Sequence, residues 1–373
     1  MPEAFQFLAS SIPGTEDLLC RELRDLDFSG VRLNKGAIPF RGSRREGWRA
    51  CLASRIAQRV RVLLARFPAP DEEALYAGIR AVDWQPYITW RQTLSVGAVC
   101  RSSAISHSGF AALKAKDAIV DQIRAREGKR PSVSREDPDV RVYLYLVEDR
   151  AAVYLDLSGE PLHRRGYRLQ TGEAPLRETL AAAILRLSGW DRVSPLVDPL
   201  CGSGTIAIEA ALWAAGQAPG LSRDRFGFER WADFGREEAR AMRELRGELR
   251  AAASGNDPRI QASDLDGEVL KAARANARRA GVKISFRRRS LFDLQGDGAA
   301  KILVTNPPYG VRLDAGTDFC RRAGAAFSRL HGWRVGLLAG SPEYERAISQ
   351  KPRLKVPLPN GDLQCDFLIY DIP

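Results

Sequence analysis

The chain has 373 residues, of which 45% are hydrophobic, enough to bury one large core and a smaller one, so two or three domains are expected. A formal net charge of +11, with arginine supplying the excess, suits a polyanionic partner, although a GC-rich coding bias would leave the same mark. Six scattered cysteines without a C-x-x-C pair and three histidines argue against zinc and against a disulfide framework; with no apolar run of membrane length and no signal-peptide pattern, a cytoplasmic protein without membrane or metal partners is expected.

Residues 1–66 alternate strand and helix signals. Phe5-Gln6-Phe7-Leu8-Ala9 has the period of a strand, Ser11-Ile12-Pro13-Gly14 turns it, and Thr15 opens a capped amphipathic pattern through Leu23. A strand at 36–41 precedes a helix expected at 54–60. This order suggests a small ferredoxin-like α+β unit, an architecture too widely shared to indicate a function.

Residues 67–158 repeat the alternation after the Pro68-Ala69-Pro70 break. A helix is expected at 72–79, strands at 93–100, 140–146 and 151–157, and a helix at 110–123 with Lys114 and Lys116 on its polar side. The serine-rich loop after Arg101, taken with Lys114 and Lys116, has the composition of a phosphate contact; an ordinary solvated face has it too. The order of elements resembles a THUMP domain, an RNA-binding module found joined to RNA-modifying enzymes.

A linker is expected at 159–175. His163-Arg164-Arg165-Gly166-Tyr167-Arg168 sets cationic and ionisable groups around an aromatic ring, which suits phosphate contact with stacking, or else an interdomain hinge with solvated arginines. A helix at 179–187 follows and should cover the sheet of a final domain at 176–373.

That domain is organised around Leu196-Val197-Asp198-Pro199-Leu200-Cys201-Gly202-Ser203-Gly204-Thr205-Ile206, which reads as strand, glycine turn and helix. Glycines let the backbone approach a ligand, and the free amides opening the helix attract an anion. A triphosphate loop would need Gly-Lys-Ser or Gly-Lys-Thr, which is absent. A dinucleotide cradle is nearly matched by Gly202-x-Gly204-x-x-Ala207, but no ribose-binding acid follows at the usual distance. The stretch also resembles motif I of Rossmann-like methyltransferases, which implies S-adenosylmethionine as cofactor and S-adenosylhomocysteine as product. Cys201 invites a covalent role, but inside such a loop small-residue packing is the simpler expectation.

Downstream, residues 237–250 read as a surface helix laced with charge pairs. Asp264, beside Leu265, ends the next strand, where a carboxylate can accept both hydroxyls of a ribose, and Asp266 is placed to cap a helix at 268–280. The strand 301–305 stops at Asn306-Pro307-Pro308-Tyr309-Gly310, where two prolines enforce a rigid extended loop at the carboxyl edge, the ligand-binding edge of an open α/β sheet. Asn306-Pro307-Pro308-Tyr309 resembles motif IV of methyltransferases that act on exocyclic amino groups of bases. Core strands are expected at 333–339 and, antiparallel and last, at 366–370; residues 351–355 form either an RNA contact or a basic loop.

The linker, the insertion with Phe226-Gly227-Phe228-Glu229-Arg230-Trp231 and the ending Pro359-Asn360-Gly361-Asp362-Leu363-Gln364-Cys365 look like those of THUMP-containing guanine-N2 RNA methyltransferases, in the large-subunit ribosomal RNA branch. The resemblance covers nearly the whole chain. It implies an α/β, Rossmann-like methyltransferase domain with a mostly parallel seven-stranded sheet and antiparallel last strands, preceded by ferredoxin-like and THUMP domains. It places Leu176-Arg177-Glu178-Thr179 beside the methionine part of the cofactor, and an adenine-binding acid at a position where this chain has Ser290; Asp293 is the substitute nearby.

The expected cofactor set is therefore Asp198, Pro199, Cys201, Gly202, Ser203, Gly204, Thr205, Thr179, Asp264, Leu265, Ser290, Leu291 and Asn306. Asn306 Oδ1 and the Pro307 carbonyl are expected to accept the hydrogens of the target amine, with Pro308 rigidifying the loop and Tyr309 stacking on a flipped base. Asp314 is a weak candidate base. Arg101, Lys114, Lys116, His163, Arg164, Arg165, Tyr167 and Arg168 are the expected RNA contacts. A monomer acting on ribosomal RNA is expected; transfer RNA, an adenine-N6 DNA activity, or an assembly factor with an inactive core are the alternatives.

Overall fold

Two seven-stranded sheets carry the chain, and alternation of apolar residues along each strand decides which face is buried. The computed structural model describes residues 4–168, 176–253, 255, 259–296, 301–308 and 316–373. The first sheet forms from β1 (Phe5–Ser10), β2 (Ala37–Gly42), β3 (Arg59–Pro68), β4 (Thr93–Arg101), β5 (Ser132–Val133), β6 (Val140–Val147) and β7 (Arg150–Asp156). Between them run α1 (Glu16–Asp25), α2 (Arg44–Ala53), α3 (Glu72–Arg80) and α4 (Ser108–Glu127). The order is β2-β1-β3-β7-β6-β4-β5, so the ferredoxin-like and THUMP segments share one continuous sheet through the antiparallel pair β3 and β7. Phe7, Val62, Val142 and Leu155 line its core side together with Leu19, Trp48, Leu75 and Ile119 from the four helices.

The helix expected at 54–60 is not there. A capping box between Ser43 and Glu46 starts α2 ten residues earlier, and at its end the buried Glu22 carboxylate takes Ser54 Oγ at 2.6 Å, Arg55 N at 3.0 Å and Ile56 N at 3.1 Å. These bonds turn the chain, and the alternating Arg59-Val60-Arg61-Val62 continues as β3. Thr15 precedes α1 but does not cap it; its hydroxyl donates to Ile12 O at 2.7 Å.

The second sheet contains β8 (Leu196–Asp198), β9 (Ile260–Asp264), β10 (Ser285–Arg288), β11 (Ile302–Thr305), β12 (Arg334–Ala339), β13 (Leu354–Asn360) and β14 (Leu363–Asp371). Its helices are α5 (Glu178–Leu187), α6 (Thr205–Ala214), α7 (Arg236–Ala251), α8 (Gly267–Ala280), α9 (Gly316–Ser328) and α10 (Glu343–Ala347). The order is β10-β9-β8-β11-β12-β14-β13, parallel from β10 to β12, with β14 antiparallel to β12 and β13 to β14. This is the methyltransferase arrangement that the motifs implied. The chain leaves β8 toward one edge and returns at β11 toward the other, so their carboxyl ends form the crevice of the sheet. Residues 351–355, expected as an RNA contact or a basic loop, lead into β13: Arg353 pairs with Asp371 at 3.0 Å and Lys355 with Glu345 at 2.6 Å, while Leu354 and Val356 pack on the core.

The two sheets are docked by buried guanidinium groups on backbone carbonyls. Arg55 donates to Leu212 O and Gln217 O, and Arg165 donates to Arg55 O at 2.6 Å and Leu162 O at 2.8 Å. Arg223 donates to Ser158, Glu160, Pro161 and Arg164 carbonyls, locking the insertion onto the linker. Gly14, at φ +85°, lies so close to β13 that a Cβ would sit 2.7 Å from Pro357 O.

Candidate active site

The crevice is closed at its base by one hydrogen bond. Leu196 pairs with Ile302 and Val197 with Leu303, so β8 and β11 end together, and Thr305 Oγ1 donates to Asp198 Oδ1 at 2.8 Å. The glycine turn and Asn306 therefore leave adjacent parallel strands at the same rim. Asp198 is buried, its Oδ2 has no hydrogen-bond partner, and burial pushes its carboxyl up to about 7 against the pull of the Thr305 hydroxyl.

After β8 the turn is held by Gly204 N on Cys201 O at 2.8 Å and by Gly202 N on Asp264 Oδ2 at 3.0 Å. Gly202 has φ +52°, and nothing lies within 4 Å of where its Cβ would be, so the turn faces open space. Ser203 Oγ lies 3.5 Å from Thr205 Oγ1, and Thr205 opens α6, whose first amides point into the crevice. Cys201 is buried in the core, its backbone N on Ser263 O, and burial pushes its thiol up, which suits packing and not nucleophilic attack.

Asp264 closes β9 beside the turn and also takes Asp266 N on Oδ1 at 3.1 Å, while Asp266 caps α8 through Glu268 N and Val269 N. The next residue, Leu265, is 58% exposed, an apolar wall next to a carboxylate. Arg289 N donates to Asp264 O, bringing Ser290 to the same rim; Ser290 Oγ accepts from Phe292 N at 3.1 Å and caps a short turn in which Leu291 is buried. On the other flank Thr179 is fully buried with an unpartnered hydroxyl, and Glu178 is held by Arg168 at 3.3 Å with Oε2 unpartnered. Burial outweighs Arg168 and pushes Glu178 up to about 7.

Asn306 Oδ1 is buried and has no hydrogen-bond partner among the described residues, an acceptor held at the rim. Pro308 O accepts from Tyr344 Oη at 2.6 Å, so α10 anchors the loop from behind. No local pattern marks Tyr344, and sequence reasoning missed it. Tyr309 and Asp314 lie outside the described residues.

Of the expected RNA contacts, Arg165 and Tyr167 are corrected by burial: each is 1% exposed, with Arg165 spent on carbonyls and Glu209, and Tyr167 Oη donating to Glu209 at 3.1 Å. Neither has surface to offer a nucleic acid. Arg168 also turns inward, donating to Leu176 O at 2.9 Å and Thr205 Oγ1 at 2.8 Å. Burial and four neighbouring arginines push His163 down to about 3, so it is neutral at pH 7 and adds no charge to a phosphate site. Arg164 is exposed and pairs with Glu160. Lys114 and Lys116 lie on α4, paired with Glu72 and Asp117, whereas strand alternation sends Arg101 to the opposite side of the first sheet. The single patch read from the sequence is thus divided.

A cleft of about 980 Å³ opens between linker, insertion and the β13–β14 turn, lined by seven arginines, Arg164, Arg168 and Arg177 among them, and by the carboxylates Asp137, Glu160, Glu178 and Asp224. Through Arg168 it reaches Thr205 and the glycine turn. Among the described residues no group of three or more His, Cys, Asp or Glu side chains is placed to hold a metal ion.

Residues 165–369 match the profile of the RMKL-like methyltransferase domain, residues 69–156 that of the THUMP domain, and residues 6–61 that of the RlmL ferredoxin-like domain. The ribosomal RNA large subunit methyltransferase K/L of Syntrophotalea carbinolica is 42% identical over all of this chain and 54% of its own length. The chain thus spans about half the length of the curated relatives it matches. Among solved structures, a protein crystallised with SAH and provisionally named a methyltransferase is 30% identical, with a TM-score of 0.86 over 99% of this chain and 98% of that one. A Listeria monocytogenes protein provisionally described as an N6-adenine-specific DNA methylase is 28% identical, with a TM-score of 0.88 over 100% and 97%.

Proposed function

Because the chain belongs to the RMKL-like methyltransferase family, we propose that it transfers a methyl group from S-adenosylmethionine to the exocyclic N2 of a guanine in large-subunit ribosomal RNA. The observation that carries this reading is the buried, unpartnered Asn306 Oδ1 at the rim it shares with the glycine turn.

The residues present fit the cofactor. Its carboxylate suits the opening amides of α6. Its ammonium suits the unpartnered oxygens of Asp198 and Glu178 and the Thr179 hydroxyl, buried acceptors that otherwise lack a donor. Asp264 suits the ribose hydroxyls, with Leu265 and Ser290 beside the adenine. When bound, S-adenosylmethionine supplies an electrophilic methyl on a cationic sulfur. The chain's own task is to make a poor nucleophile attack it. The lone pair of an exocyclic amine is delocalised into the ring, and accepting its two hydrogens at Asn306 Oδ1 and the Pro307 carbonyl favours a pyramidal nitrogen directed at the donor. The base must leave its stack to reach that loop.

The substrate class rests on the names of the relatives, on the THUMP match and on the arginine-rich cleft, whose Arg168 bonds Thr205 at the start of α6. The test is mass spectrometry of nucleosides from ribosomal and transfer RNA of a strain lacking the gene. Loss of N2-methylguanosine from large-subunit RNA, restored by this chain and not by Asn306→Ala, is expected. Loss from transfer RNA instead would move the activity to that substrate, and failure of the chain to bind S-adenosylmethionine by calorimetry would leave an inactive scaffold.

A further inference from the structure

The first sheet is covered on one side only. Its four helices share a core with Phe7, Val62, Val142 and Leu155, while Leu8, Leu63, Tyr143 and Tyr145 point the other way by alternation and join no core cluster. On that open face three tyrosines meet. Tyr143 and Tyr145 lie 4.7 Å apart between centroids, Tyr145 meets Tyr154 edge to face at 5.7 Å, and the Arg61 guanidinium sits 4.3 Å over the Tyr143 ring. In register with Tyr143 across β4 stands Gly97, which leaves the ring edge uncrowded.

The charge on this face is one-sided. Arg41, Arg66, Arg101, Arg141 and Arg150 flank the tyrosines, and the only carboxylate among the strand residues facing the same way, Asp156, is already paired with Arg59 at 2.9 Å and approached by Arg61 at 3.8 Å. A sheet face that served only as solvent-exposed surface would mix signs. The half-buried rings of Tyr143 and Tyr145, backed by the buried Tyr154, lie among arginines of which Arg141 donates to Glu136 O and Arg66 to Gln6 Oε1, and they complement a polyanion that carries flat rings of its own.

The face is also continuous with the cleft. Arg59 Nη1 donates both to Asp156 Oδ2 and to Gly159 O, each at 2.9 Å, and Gly159 and Glu160 line the cleft that Arg168 connects to Thr205. A strand lying on the tyrosines is thereby led past the Arg59–Asp156 pair to a cleft where arginines outnumber carboxylates.

We propose that the open face around Tyr143 and Tyr145, which the buried Tyr154 supports from the side, is a stacking platform for unpaired nucleobases of the RNA, with the flanking arginines on its phosphates. This rests on the reading of the chain as an RNA methyltransferase. It assigns to the first sheet a single-strand specificity that the charged cleft alone does not supply.

The test uses the whole chain, a short single-stranded adenosine oligonucleotide and a blunt RNA duplex of equal charge, followed by fluorescence anisotropy. Replacing both rings by Tyr143→Leu and Tyr145→Leu is expected to weaken single-strand binding by about tenfold or more, the range of one to two lost stacks, with duplex binding changed by less than about twofold. Tyr143→Phe with Tyr145→Phe keeps the rings and is expected to keep the affinity. Single-strand affinity indifferent to the leucine pair, or loss of both ligands alike, would overturn the platform. Should the leucine pair lower the melting temperature, photocrosslinking of thiouridine-bearing RNA to the unaltered chain decides: adducts on the peptide containing Tyr143 and Tyr145 support it, and adducts confined elsewhere sink it. Failure of the unaltered chain to bind either RNA would instead count against the RNA methyltransferase reading itself.

Discussion

Thr305 Oγ1 donates to Asp198 Oδ1 at 2.8 Å, joining the ends of two strands that lie 107 residues apart in sequence. Both side chains are buried, so the bond is worth more than a surface contact, and it sets the spacing between the glycine turn and Asn306. Thr305→Val keeps the shape and removes the donor. It is expected to cost about 1–3 kcal/mol in urea unfolding, because Asp198 would be left with one weak donor, and to weaken cofactor binding at pH 7. Unchanged stability and affinity would show that the strands are held in place without it.

Asp198 and Glu178 each titrate near 7 in the folded chain, well above an ordinary carboxylate, burial being the main cause. The folded state then holds more protons than the unfolded one between about pH 4 and about pH 7, so these groups lower the stability of the free protein as pH rises through that window. A cationic ligand draws the ionised form. Cofactor affinity is therefore expected to rise from about pH 5.5 to about pH 8 with proton release, and Asp198→Asn to flatten part of the rise. Calorimetry in buffers of different ionisation heat measures both; a pH-independent affinity would be the contrary result.

From α10, Tyr344 reaches the loop proposed to hold the amine through Pro308 O. Tyr344→Phe retains the buried ring and frees the loop. A fall in kcat of about tenfold with the KM for S-adenosylmethionine little altered is expected, since small misplacement of the amine acceptors is costly. A change in KM alone would mean that the tyrosine serves the cofactor instead.

Arg164 and Arg165 are adjacent in sequence and opposite in role. Arg164→Ala, exposed, is expected to reduce RNA affinity and the steepness of its salt dependence while the melting temperature stays the same. Arg165→Ala strands Glu209 in the interior and is expected to cost about 3–5 kcal/mol, appearing as loss of folded protein. Equal effects of the two on RNA binding in folded protein would contradict the assignment.

Local signals carried much of this chain's architecture. Glycine and proline positions, alternating apolar runs and the acid ending β9 were enough to mark the second sheet, its carboxyl edge and the turn on it, because each reflects a constraint acting within a few residues. The helix expected at 54–60 failed for the converse reason. Its turn is made by Glu22, a carboxylate more than thirty residues upstream that takes the Ser54 hydroxyl and two amides. In 351–355, read as an RNA contact or a basic loop, only 354–355 prove to be strand, because pairing with β14 and with distant carboxylates decides them.

Sequence by itself determined where the second sheet carries its two edge loops, since backbone freedom at Gly202 and rigidity at Pro307-Pro308 are written in residue type; the proposed meeting of methyl donor and amine is placed there. Only the tertiary structure decided which cations are available to a partner. Arg165, Arg168 and Arg223 are indistinguishable from Arg164 as letters, yet they are spent on carbonyls and buried acids, while strand alternation sends Arg41, Arg66 and Arg141 to one uncovered face. Charge is a property of the residue, but its availability depends on what folding places beside it.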